Sequence, residues 1–106
     1  MVEQVSVVRP TGRLDSATSP VFEQDLMKRI AEGHASIVLD LSKLTFISSA
    51  GLRVLLAAAK KAKQGGGKLA LFGLLANVRE VFSISGFDTI FSILPGRSAA
   101  LAAVRE

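Results

Sequence analysis

Two runs with no polar interruption, Ile37-Val38-Leu39 and Leu69-Ala70-Leu71-Phe72, bracket a stretch with helical apolar spacing. A strand that is apolar at every residue has to be covered on both faces, as in a parallel sheet flanked by helices. Between the runs, Leu52, Leu55, Leu56, Ala59 and Ala62 recur at three- and four-residue steps. Val54, Ala57 and Ala58 widen that stripe, so the helix is expected to be unusually well buried. It starts near Ser49 or Ala50, runs to about Gln64, and stops at Gly65-Gly66-Gly67.

The rest of the chain repeats the alternation. Val5 to Arg9 reads as a strand, broken by Pro10-Thr11-Gly12, with Arg13-Leu14 continuing it after a bend or bulge. Asp15 to Pro20 is a loop that leads into a helix, with Ser19 expected as the cap and Pro20 at the first helical position. Phe22, Leu26 and Ile30 form that helix's inner stripe, and Gly33 ends it. Val78, Val81 and Phe82 mark a short helix ending at Gly86. Ile90 to Leu94 reads as a last strand, and Ser98 to Arg105 as a terminal helix. Alternation of this kind predicts one α/β domain over residues 1–106, with a small mixed or largely parallel sheet of about four strands and flanking helices.

Composition narrows the function classes. A chain of 106 residues buries about two thirds of its unfolded surface, enough for one core. It has no cysteine, which removes disulfides and thiolate metal sites. The longest apolar run, Val54 to Ala59, falls far short of the roughly 20 residues of a transmembrane helix. No charged segment followed by an apolar stretch precedes Val5, which argues against a secretory leader and for a cytoplasmic chain. The net charge of +4 gathers at Lys60, Lys61, Lys63 and Lys68, where a helix end favours cations. With no Trp or Tyr for base stacking, nucleic-acid binding is disfavoured. The one histidine, His34, follows a helix stop and reads as solvated. No carboxylate pair, metal-ligand cluster or phosphate-binding loop stands out. Gly65-Gly66-Gly67-Lys68 leads into a strand, not the Ser/Thr and helix of a P-loop. The residues point to no enzyme, catalytic site, metal or cofactor.

The joint Ser48-Ser49-Ala50-Gly51 is different. Serine is a favoured helix cap, but one cap leaves a second hydroxyl spare. Glycine inside a first turn costs roughly 0.8–1 kcal/mol relative to alanine, and it admits a close neighbour. The joint follows a strand, at the end where open α/β sheets present their sites, and a helix N-terminus favours an anion. Two readings stay open: a cap alone, or a turn that accepts a phosphate. Asp15, in a loop after another strand, reads either as a local cap or as a carboxylate for a partner.

The run Asp40-Leu41-Ser42 … Phe46-Ile47-Ser48-Ser49-Ala50-Gly51-Leu52 resembles the signature of STAS domains, in particular the bacterial anti-sigma-factor antagonists. Thr11-Gly12-Arg13-Leu14-Asp15 resembles that family's Gly-x-Leu-Asp loop. Gly66 to Leu71, Val78 to Phe82 and Ser85-Gly86-Phe87 also fit. The resemblance implies a protein that binds an anti-sigma factor with serine-kinase activity, releases the sigma factor, and is switched off by phosphorylation. A PP2C-type phosphatase would restore it. Position by position, the phosphoacceptor falls on Ser49. The partner surface falls on Asp15, Ser16, Ser48, Ser49, Ala50, Gly51, Leu52 and Arg53. Ser48 stands where the family often has Asp, and Ala50 where it often has Ser or Thr. The short N-terminus implies that a leading strand of some members is missing. The competing expectations are a constitutive STAS scaffold subunit of a lipid-transport or other signalling complex, and weak nucleotide binding at the helix start. The sequence does not name the oligomeric state.

Overall fold

The computed structural model describes residues 5–105. The expectations about a leader and a leading strand concern residues outside that range. In chain order the elements are β1 (Val5–Val8), β2 (Gly12–Leu14), α1 (Ser19–Ala31), β3 (Ser36–Asp40), β4 (Leu44–Ile47), α2 (Ser49–Gln64), β5 (Leu69–Phe72), α3 (Ala76–Ile84), a 3-10 turn (Phe87–Thr89), β6 (Ser92–Leu94) and α4 (Arg97–Arg105).

The main sheet is four-stranded and wholly parallel, in the order β1-β3-β5-β6. Its side chains alternate between two apolar layers, as the period of a strand requires. Ile37, Leu39, Leu69 and Leu71 join the larger cluster beneath α1, α2 and α3, where Leu26, Leu55 and Phe82 are fully buried. Val38 and Ala70 point the other way, onto Ala100 and Val104 of α4. This two-sided cover is the reason the β3 and β5 runs contain no outward polar position.

The structure departs from the sequence reading in five places. Arg13-Leu14 does not extend β1. Gly12–Leu14 and Leu44–Ile47 instead pair with each other as a separate two-stranded parallel sheet, with a register shift between Gly12 and Arg13. The four-stranded main sheet is as expected, and these two strands make a second, smaller sheet beside it. The start of α2 consequently follows β4, not the long run of β3. The cap of α1 is Thr18, which makes no side-chain cap bond, so Ser19 occupies the first helical position and Pro20 the second. The expected strand over Ile90–Leu94 is shortened to Ser92–Leu94, because Phe87–Thr89 form a 3-10 turn that packs Phe87 and Phe91 rings 5.8 Å apart. His34, read as solvated, is half-buried, and its Nδ1 lies 2.9 Å from the Ser6 hydroxyl.

Asp40 secures the passage from the main sheet to the small one. It is 5% exposed, accepts from the Ser42 amide at 3.0 Å and pairs with Arg9 Nε at 2.9 Å. Burial pushes its carboxyl up, but the Ser42 hydroxyl and amide and the Arg9 guanidinium outweigh that and hold it below its ordinary value. The main chain turns there into β4, whose outer side is held by α3: Asn77 Nδ2 donates to the Thr45 carbonyl at 2.6 Å.

Candidate functional site

Parallel pairing in the small sheet creates the site. Leu14 and Ile47 are register partners at the carboxyl ends of β2 and β4. Whatever follows each strand must therefore emerge side by side. Those followers are the Asp15 loop and the Ser48 turn. The two are fastened by the Leu14 carbonyl, which accepts from the Ser48 amide at 2.9 Å.

Gly51 stands against the same carbonyl. A Cβ built there would lie 2.8 Å from Leu14 O, 2.8 Å from Ile47 Cγ1 and 3.0 Å from Leu14 Cγ. Real Cβ atoms do not come so close, so the glycine is what lets α2 start directly against the end of β2. The unexplained glycine of the sequence is thus a packing requirement between the two segments that form the site.

The serines divide their tasks. Ser48 is the N-cap, with extended backbone (φ −100°, ψ 177°), and its Oγ accepts from the Gly51 amide at a long 3.5 Å. Ser49 is the first helical residue and is exposed. Among the described residues its hydroxyl makes no side-chain hydrogen bond. It stands where the free amides and the dipole of a 16-residue helix concentrate positive potential, and that first turn contains no acidic residue.

The Asp15 loop organises itself. Asp15 Oδ1 accepts from the amides of Ala17 at 3.0 Å and Thr18 at 3.2 Å, and the Asp15 carbonyl accepts from the Ser19 amide at 2.8 Å. The Thr18 hydroxyl accepts from the Asp15 amide at 3.0 Å and donates to the Arg13 carbonyl at 2.8 Å. The Thr18 amide above all lowers the Asp15 carboxyl from its ordinary value, against the opposing effect of desolvation; the Ala17 amide and the Thr18 and Arg13 side chains add to the lowering. One oxygen is therefore committed to the loop. The other faces Arg13 Nε at 3.5 Å, and the Arg13 guanidinium sits 4.1 Å above the Phe46 ring.

The residues assigned by resemblance to the partner surface separate into two groups. Asp15, Ser16, Ser48, Ser49, Ala50 and Arg53 are exposed or half-buried at one rim. Gly51 and Leu52 are buried, with Leu52 in the core, so they shape the turn from beneath. Arg53, Ala50 and Ser16 also border a groove of about 450 Å³ between α1 and α2, with Ser19 and Glu23 on the α1 side. Ser19 Oγ is sealed from solvent and, among the described residues, lacks a hydrogen-bond partner. The Arg13–Phe46 pair and this groove were not apparent from the sequence, because both depend on which elements become neighbours. Among the described residues no cluster of three His, Cys, Asp or Glu side chains could hold a metal ion. No described helix is long and apolar enough to cross a membrane.

Comparison with known proteins agrees with this architecture. A family profile described as the STAS domain matches residues 2–100. BtrV of Bordetella bronchiseptica, a protein named for an anti-sigma factor antagonist role, is 46% identical over 94 residues, covering 89% of this chain and 81% of BtrV. The crystal structure of an anti-sigma factor antagonist from Mycobacterium paratuberculosis superposes with a TM-score of 0.86 at 30% identity, covering 100% of this chain and 90% of that one. The anti-sigma-F factor antagonist RsfB of Mycobacterium tuberculosis is 29% identical over 104 residues, covering 95% of this chain and 82% of RsfB. The chain belongs to the STAS domain family, among the bacterial anti-sigma factor antagonists.

Proposed function

We propose that this protein is a non-enzymatic phospho-switch that binds an anti-sigma factor with serine-kinase activity through the Asp15 loop and the Ser48–Arg53 turn, and that Ser49 is its phosphoacceptor. The observation that carries the reading is the division between the serines: Ser48 is spent on the helix cap, and Ser49 presents an exposed hydroxyl one residue later. In the transfer, a bond forms between Ser49 Oγ and the γ-phosphorus of ATP. The bond to the bridging oxygen breaks, ADP leaves, and the hydroxyl proton passes to a base of the kinase. The product carries about −1.5 to −2 charges at neutral pH. The fold tolerates them at a helix N-terminus, whereas an interface closed over the rim would have to desolvate them. Phosphorylation thus turns binding off without unfolding the antagonist. A phosphatase of the PP2C type would reverse it.

The test is affinity for the cognate anti-sigma factor. Ser49→Ala should bind like the unmodified protein. Ser49→Asp should bind at least about tenfold more weakly, equivalent to roughly 1.4 kcal/mol or more for a charge buried without a partner. Equal affinity of Ser49→Asp and the unmodified protein would remove Ser49 from the interface.

A further inference from the structure

The proposed switch places a dianion at the first position of α2, and the helix itself supplies a cation for it. Residues four apart on a helix are neighbours, with Cβ atoms about 5–6 Å apart. Arg53 is four residues beyond Ser49 and, like it, is exposed. Among the described residues Arg53, like Arg79, Arg97 and Arg105, takes part in no ion pair, but Arg53 alone of these lies in the first turns of α2. It borders the α1–α2 groove, where the acid across from it is Glu23 of α1, and the two do not approach to ion-pair distance. The nearby Asp15 is already held by the Ala17 and Thr18 amides and faces Arg13. The first turn of α2 adds no acid of its own. Arg53 is thus a charged fork with no committed partner, one turn from the proposed phosphate.

We infer that Arg53 clamps the phosphate of phosphorylated Ser49 within the same helix, an inference that rests on Ser49 as the phosphoacceptor. The order of charges, anion nearer the N-terminus and cation one turn later, is the favourable one for a helical pair. Guanidinium also matches the phosphate oxygens in a bidentate geometry that lysine does not reproduce. The pairing has a functional consequence. In the unmodified protein Arg53 is available to an acidic group of the partner; once Ser49 is phosphorylated, the arginine is withdrawn into its own helix. The off state then combines an added anion with a lost cation.

Phosphoserine installed at position 49 by an expanded genetic code tests this without any kinase. The second ionisation of the phosphate is followed by phosphorus NMR in otherwise wild-type protein and in Arg53→Gln and Arg53→Lys variants, with amide spectra to confirm that each is folded. The clamp predicts that Arg53→Gln raises that pKa by about half a unit, with Arg53→Lys intermediate. Identical titration of wild type and Arg53→Gln would overturn it. Failure of a kinase to modify Ser49 would instead overturn the switch itself, and leaves this titration unaffected.

Discussion

The main sheet and the small sheet of this molecule are both parallel, yet they are held together by different means. The main sheet is a sandwich filling: β3 and β5 are covered on both faces by apolar side chains. The small sheet has only two strands, a register shift, and exposed positions at Gly12, Arg13 and Thr45. Leu14, Leu44 and Ile47 anchor it in the same core, and particular contacts complete it: the Thr45 hydroxyl on the Gly12 carbonyl at 3.0 Å, Asn77 on Thr45, and the Leu14 carbonyl on the Ser48 amide. The proposed partner rim is built on the second kind of structure. Burial makes the platform, and a few directional contacts aim the site.

That difference predicts different responses to substitution. The largest loss is expected in the main sheet. Leu39→Ala empties a fully buried position and should cost about 2–5 kcal/mol in denaturant unfolding. Gly51→Ala should cost less, roughly 1–3 kcal/mol, because it overpacks one joint. It should nevertheless weaken partner binding more than Leu39→Ala does, measured on the folded fraction of each, since it pushes the Ser48 turn away from the Asp15 loop. If Leu39→Ala proves the more damaging to binding, the separation of platform and site is wrong.

The passage between the sheets supplies a smaller, pH-dependent effect. The Asp40 carboxyl is lowered in the folded state, so the stability it contributes is present above its unfolded value, about 3.9, and is lost as pH falls through the folded value. Asp40→Asn removes that contribution. The variant should be less stable at neutral pH by about 1 kcal/mol, given that Arg9 is half exposed, and should lose less than wild type on acidification below about pH 4. Parallel acid limbs for the two proteins would show that Asp40 does not act through its charge.

The same contrast explains what could be read in the sequence. Ile37-Val38-Leu39, Leu69 to Phe72 and the α2 stripe are governed by burial, which leaves a periodic record in the chain, so the helices and the main sheet were legible. Gly12–Leu14 and Leu44–Ile47 are too short and too mixed to show a strand period, and their pairing is a long-range event. Ser19 is a plausible cap by residue type, but Asp15 Oδ1 takes the Ala17 and Thr18 amides just ahead of α1 and the Asp15 carbonyl takes the Ser19 amide, which draws Ser19 into the helix. Gly51 stood out as costly, but its reason, the Leu14 carbonyl, lies in a segment 37 positions earlier in the chain. The resemblance to STAS domains placed the rim residues together. It could not separate Ser49, which faces solvent, from Leu52, which does not.

In the proposed switch the second serine of the joint, and not the first, receives the phosphoryl group. Intact mass followed by fragmentation, after incubation with the cognate kinase and ATP, measures this directly. The expected result is the added mass of one phosphoryl group, located on Ser49, and none in Ser49→Ala. A phosphate on Ser48, or unchanged modification of Ser49→Ala, would contradict it.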